Sequence, residues 1–307
     1  MDIHNSVNII SQEMKNLYII LILLILVSSK IVAQQESLIS QYRQQMSLFN
    51  PAAVSVDDAS KIAIIHRRQW MNVPSSPVTT SLTYGFYAGK NVGLGLSVIT
   101  DKVFIASSTF VGIDYSYKLR VNEDSDLYLG IKAGASFFSL NTSNLNSYNL
   151  FSDPSLNSIS SFLPNIGFGA YYKNGDFYIS IGAPRMLSTK RVKENNGVVS
   201  AAGDRMHFYS STGYVFLINE FNNIKLKPSI FSRNVIGAPS SIDFNTMVSF
   251  NNNFELGVTY RTGTSYALVA QLAINKNLLM GWTYEIFSKP ELTNTGDSHE
   301  FMLTYKF

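Results

Sequence analysis

The last nine residues, His299-Glu300-Phe301-Met302-Leu303-Thr304-Tyr305-Lys306-Phe307, alternate in character without a break. Phe301, Leu303, Tyr305 and Phe307 fall on one face, and Glu300, Met302, Thr304 and Lys306 on the other. That two-residue period is the pattern of a β-strand with one apolar and one wet face. The pattern recurs along the chain. Phe254, Leu256, Val258 and Tyr260 alternate with Glu255, Gly257, Thr259 and Arg261, and Met280, Trp282, Tyr284 and Ile286 with Gly281, Thr283 and Glu285. Leu127, Leu129, Ile131, Ala133 and Ala135 alternate with Tyr128, Gly130, Lys132 and Gly134. In Val111 to Leu119 the polar face holds Gly112, Asp114, Ser116 and Lys118.

One face therefore carries small and charged residues and the other only apolar and aromatic ones, the arrangement of a barrel with lipid outside and a wet lumen. A β-sandwich requires the opposite, a shared apolar core beneath charged outer faces. Composition agrees: the chain is 15% charged and 13% aromatic, against roughly 25% charged in soluble domains. The reading is all-β, a transmembrane outer-membrane β-barrel of about fourteen antiparallel strands, without catalytic, cofactor or metal sites. Candidate strands lie near 60–69, 78–88, 91–100, 107–119, 126–138, 163–173, 175–183, 205–217, 222–232, 240–250, 252–262, 264–274, 276–287 and 298–307. Every second connection is short, among them Gly89-Lys90, Asn174-Gly175 and Asn251 to Asn253, while 139–162, 184–204 and 288–297 are the longest. Outer-membrane barrels place short turns in the periplasm and long loops outside. Likeness to known outer-membrane barrels, rather than the alternation itself, implies that Tyr305 and Phe307 of the closing strand form an assembly signal.

At the other end, Lys15 precedes an apolar run from Leu17 to Val27 and a small-residue stretch ending in Ala33. Charge, roughly 7 to 15 apolar residues and a small residue, in that order, form a secretory signal. The run falls short of the roughly 20 residues that span a bilayer. The expected organisation is a signal peptide over 1–33, with Met14 as an alternative start, a periplasmic N-terminal segment over 34–59, and the barrel over 60–307. The chain contains no Cys, which excludes a lipoprotein anchor, disulfides and thiolate metal sites. A formal net charge of +3 is too small and too scattered to argue for nucleic acid.

The four His are far apart in sequence and fall in no metal-ligand or acid–base spacing, so the chain is read as a non-enzyme. His299 belongs at a strand start near the outer rim. Charges expected to face the lumen are Asp114, Lys118, Lys132, Lys225, Lys227, Asp243, Glu255, Arg261, Glu285, Glu300 and Lys306. Mixed signs suit self-pairing or a protein plug better than an ion-selective pore, which needs a ring of one sign. Trp70 is either an interfacial girdle residue or a partner contact. Asn50-Pro51 either sets the chain's entry into the barrel or makes a periplasmic contact. The glycines around Gly93-Leu94-Gly95 are read as relief where a tilted strand curves.

Leu48-Phe49-Asn50-Pro51-Ala52-Ala53, Arg68-Gln69-Trp70, Pro74 to Thr80, Gly93-Leu94-Gly95-Leu96, Pro164-Asn165-Ile166-Gly167-Phe168-Gly169 and Ser298-His299-Glu300 together resemble the PorP/SprF family of type IX secretion outer-membrane proteins of Bacteroidetes. The resemblance runs from about Gln41 to Phe307. It departs at Val54-Ser55, where the family usually continues with Gly, and at Thr100-Asp101, where Asn-Asp is common. It implies a 14-stranded barrel that works with the type IX secretion and gliding machinery, helping to secrete or hold surface adhesins through their C-terminal domains. On that resemblance Phe49, Asn50, Pro51, Arg68 and Trp70 are candidate partner contacts. The implied partners are outer-membrane lipid, a secreted adhesin with a C-terminal sorting domain, and the secretion machinery in the periplasm. The barrel alone equally suits a passive porin or a FadL-like transporter of hydrophobic compounds, since fold does not fix function.

Overall fold

The computed structural model describes residues 38–58, 60–141, 159–187, 189–195, 198–204, 206–235 and 240–307, with the side chains of 57, 159, 189–204 and 293 left aside. The alternating segments form one antiparallel sheet that closes on itself. Its strands are β1 (Lys61–Arg68), β2 (Val78–Gly89), β3 (Val92–Val103), β4 (Ala106–Arg120), β5 (Ser125–Leu140), β6 (Ile159–Asn174) and β7 (Phe177–Arg185). They continue with β10 (His207–Tyr214) and β11 (Phe216–Asn219), two halves of one barrel strand, then β12 (Ile224–Val235), β13 (Ser241–Phe250), β14 (Phe254–Arg261), β15 (Ser265–Ala273), β16 (Leu278–Phe287) and β17 (Ser298–Lys306). Counting β10 and β11 as one, the barrel has fourteen strands. It closes where β1 pairs with β17, from Lys61 opposite Lys306 to Arg68 opposite His299. Closure of the sheet on itself is the condition that lets strands span lipid.

Each strand puts its apolar residues outward. Ile113, Ile131, Ile181, Val258 and Phe301 are all more than half exposed, whereas Ser81, Asp114, Thr283, Glu285 and Glu300 on the inward positions are buried. Apolar outside and polar inside is stable only when the outer surface meets hydrocarbon. The short connections gather at one end. At the β2–β3 turn Lys90 and Asn91 have φ of 52° and 66°, the paired left-handed conformation of a type I′ hairpin, whose twist matches the strands it joins. Gly175, Asn251 and Asn252 also turn with positive φ. By the rule for outer-membrane barrels this is the periplasmic end.

The structure differs from the sequence-based expectation in two places. The 184–204 connection is not all loop, for β8 (Thr189–Asn195) and β9 (Val198–Asp204) pair as a separate two-stranded hairpin; between them the sequence carries Asn-Gly, the strongest short hairpin signal. The second difference is larger. The stretch expected to lie in the periplasm as part of 34–59 lies inside the barrel over its described residues 38–55, all of them buried except the half-buried Arg43 and Gln44.

Candidate functional site

The lumen is occupied by the chain's own N-terminal segment, built of short 3-10 turns at Tyr42–Leu48, Pro51–Ala53 and Val56–Asp58. Its sequence suits compact turns rather than a strand. Asn50 is extended and accepts a hydrogen bond from Ala52 N–H at 2.9 Å, while Pro51 takes the first helical position, where a missing N–H costs nothing. The Asn50 amide then donates to the Ala170 carbonyl at 2.9 Å and to Ser180 Oγ at 2.8 Å. Phe49 lies edge-on to Tyr209 and Phe231, with ring centroids 5.0 Å away in each case, and Tyr42 stacks on Phe231 at 4.3 Å. Ile39, Met46 and Leu48 complete this core with Ile65 and Met302 from the wall. Burial of each such side chain contributes about 1.5–3 kcal/mol. Burial also raises the Tyr42 hydroxyl's pKa above its ordinary value, so it remains a neutral phenol, paired with Ser229 Oγ at 2.9 Å.

The wall is cleared to receive this plug. A Cβ on Gly95 would overlap the Val54 side chain, one on Gly130 the backbone of Pro51 and Ala52, and one on Gly182 the Phe49 carbonyl. Gly93 meets Ser55 and Gly169 meets Asn50 in the same way. The inward glycines of β3, β5, β6 and β7 thus serve close approach of a second backbone. Relief of strand curvature, the expectation for Gly93 and Gly95, is not the contact they make.

Polar groups hold the plug on the opposite side. The Ser40 and Gln41 N–H groups both donate to the Glu300 carboxylate, at 2.9 and 2.8 Å. Glu300 faces Arg67 at 3.5 Å, Arg67 pairs closely with Glu285, and Arg261 bridges Glu285 at 2.5 Å and Asp243 at 2.9 Å. Arg233 closes the chain on Asp243 at 2.5 Å. Three cations and three anions, all buried, cancel in the network; breaking one such buried pair costs about 3–5 kcal/mol because a charge is left uncompensated. Across the lumen, Lys132 Nζ donates to the Ser47 carbonyl at 2.9 Å and faces Asp114 at 3.2 Å.

Between the plug and β12–β17 a cavity of about 1030 Å³ opens at the periplasmic end. Ser40, Gln41, Arg43 and Gln44 of the plug form one wall, and the 251–253 and 275–277 turns lie at its mouth. Lys227 and Glu255 in its side are paired with each other.

Of the residues singled out in the sequence, Phe49, Asn50 and Pro51 come together, but within the lumen, where the groups they touch are strands of their own barrel. Their surfaces are taken up by contacts within the chain. Arg68 is exposed at the outer end of β1, its Nε 3.4 Å from Ser76 Oγ. Trp70 stands beside it with φ 52° and its ring against Phe287. These two lie at the end of the barrel opposite the 49–51 turn. Tyr305 and Phe307 are exposed and meet edge to face at 5.1 Å, and His299 stands between Trp282 and Tyr284 at the outer end of β17. Arg67 and Arg233 are further lumen residues beyond the charges expected there; strict alternation from Ala63 and Ile65 places Arg67 inward.

A family model for the type IX secretion system membrane protein PorP/SprF matches residues 31–305. No curated protein matches the chain. Among solved structures, the CymD monoaromatic hydrocarbon channel is 11% identical with a TM-score of 0.50, over 86% of this chain and 91% of that one. A Pseudomonas aeruginosa FadL homologue is 11% identical with a TM-score of 0.49, over 84% and 92%. The Acinetobacter baumannii outer membrane protein Omp33 is 12% identical at 0.45, over 81% and 99%. At such identity the likeness to CymD concerns the fold alone, a closed outer-membrane barrel. With the family match spanning nearly the whole barrel and its plug, the chain belongs to the PorP/SprF family of type IX secretion system outer-membrane proteins.

Proposed function

We propose that this protein is a non-enzymatic component of the type IX secretion and gliding system that helps to secrete or anchor surface adhesins through their C-terminal sorting domains, working with the secretion machinery in the periplasm. The observation that carries this reading is the filled lumen. A barrel whose interior is taken up by its own residues 38–55, hydrogen-bonded and stacked against strands on every side, is suited to act as a rigid platform in the membrane. Passive transport, the reading as a porin or a transporter of hydrophobic compounds, requires a passage where the plug stands.

The deciding experiment is affinity purification from native membranes, with conductance of the purified protein in planar bilayers alongside. Recovery of a secreted protein by its C-terminal domain, together with silent bilayers, is the expected outcome. Steady open channels without any partner would refute the reading in favour of transport. Phe307 is assigned as the terminal recognition residue for barrel assembly. Its deletion should lower the amount of folded, heat-modifiable protein in the outer membrane while export across the inner membrane continues; unchanged levels would refute the assignment.

A further inference from the structure

We propose that the periplasmic vestibule between the plug and β12–β17 is a binding site for an extended, acidic polypeptide segment of a periplasmic partner. Four features of the cavity lead there. The first is charge: Arg43, Lys276 and Lys306 line it, and no carboxylate lies within ion-pair distance of any of them among the described residues. Its one acidic side chain, Glu255, is taken by Lys227. The site is therefore cationic, and a ligand bringing carboxylates would meet cations not already committed.

The second feature is hydrogen-bonding capacity at its buried end. Gln41 Oε1 accepts from Gln271, but Gln41 Nε2 is buried without a partner. Asn245 Nδ2 donates to Thr259, but Asn245 Oδ1 is likewise buried without a partner. Both side chains are more than nine-tenths buried and both line the cavity. A buried donor and a buried acceptor left unmade each cost free energy, and a polypeptide backbone offers carbonyls to the one and N–H groups to the other. Ser40 Oγ, also unpartnered, adds a third group on the same wall.

Size and lining are the third and fourth. At about 1030 Å³ the vestibule is at or beyond the upper end of the roughly 300–1,000 Å³ that small-molecule sites occupy. No aromatic side chain lines it, so it offers no ring face on which a nucleobase would stack. Side-chain amides from Gln41, Gln44, Gln271 and the 251–253 turn dominate instead. The mouth opens at the short-turn end, the side from which a periplasmic chain would arrive. This assignment does not depend on adhesin anchoring and stands if that reading fails.

The test uses the full protein in lipid nanodiscs and fluorescein-labelled hexaglutamate, read by anisotropy. Saturable binding that weakens as salt rises is expected, with hexaglutamine binding at least tenfold more weakly. The triple variant Arg43→Gln, Lys276→Gln, Lys306→Gln should lose hexaglutamate binding by tenfold or more. Asn245→Leu should weaken hexaglutamate by several-fold while leaving the salt dependence intact, which separates amide recognition from bulk charge. If the triple variant does not fold to a heat-modifiable barrel, the double variant Lys276→Gln, Lys306→Gln at the exposed mouth replaces it. Equal binding of hexaglutamate and hexaglutamine, unchanged binding by the charge variants, or competition by free glutamate at the same carboxylate concentration would each overturn the proposal.

Discussion

Gly130→Val puts a side chain where the plug backbone now lies, and the cost can be worked from the contacts. A Cβ at this position would sit 2.5 Å from the Pro51 carbonyl carbon and 2.6 Å from Ala52 Cα, against roughly 3.5–4.0 Å for relaxed carbon contacts. The neighbours are backbone, fixed by the Asn50 cap and its bonds to Ala170 and Ser180, so a retreat of about 1 Å must strain or release the turn. Overpacking of this kind costs about 1–3 kcal/mol. The strand itself gains from exchanging Gly for a β-branched residue. The expected result is lower resistance to urea in refolding experiments, by that amount, and faster proteolysis of the 38–58 segment in the folded barrel. A thermodynamic cycle isolates the cause: in a barrel lacking residues 38–56, Gly130→Val should be neutral or stabilising. Equal loss with and without the plug, or wild-type stability and protection in the single variant, would refute the close-approach role given to the inward glycines.

Arg261→Met should destabilise the barrel by about 2–4 kcal/mol in urea, below the full cost of breaking a buried pair, because Asp243 keeps Arg233 and Glu285 keeps Arg67; a neutral outcome would mean the network contributes nothing. Val258→Arg, on the lipid face at the middle of β14 and 60% exposed, should cost about 2–4 kcal/mol, with less at Leu256 nearer the turn; no penalty at either position would deny that this face meets lipid. Asn294→Cys on the outer 290–295 turn should react with an impermeant thiol reagent on intact cells, and Asn252→Cys should react only after the outer membrane is breached; the opposite pattern would invert the barrel.

The wall was legible in the sequence because a period of two reports directly which residues share a face. Asp114, Lys132, Asp243, Arg261, Glu285 and Glu300 are inward and buried as the alternation requires. The turn residues told the same story, since Lys90-Asn91 and Asn251-Asn252 do what such residues do at tight hairpins. The plug was not legible. Residues 38–58 are too short and too irregular to show a period, and what holds them is spread over strands up to 260 positions away. The glycines that receive them carry the strongest hint, but an inward Gly in a barrel strand reads equally as strand curvature or as room for another chain. Arg67 is harder to place, for it adjoins the exposed Arg68, and a shift of one residue exchanges the two faces.

Glu300 sits in β17, the last of the described strands, and the amides that cap it belong to Ser40 and Gln41, among the first of the described residues. Seating the plug and closing the seam between β1 and β17 are coupled, because Glu300 of β17 and Arg67 of β1 belong to the same buried network as the plug amides. Such long-range pairing is slow, since loop closure must be met before contacts reward it. Whatever loosens residues 40 and 41 thereby also leaves a buried carboxylate uncapped at the seam, so the interior segment and the barrel's closure are stabilised together.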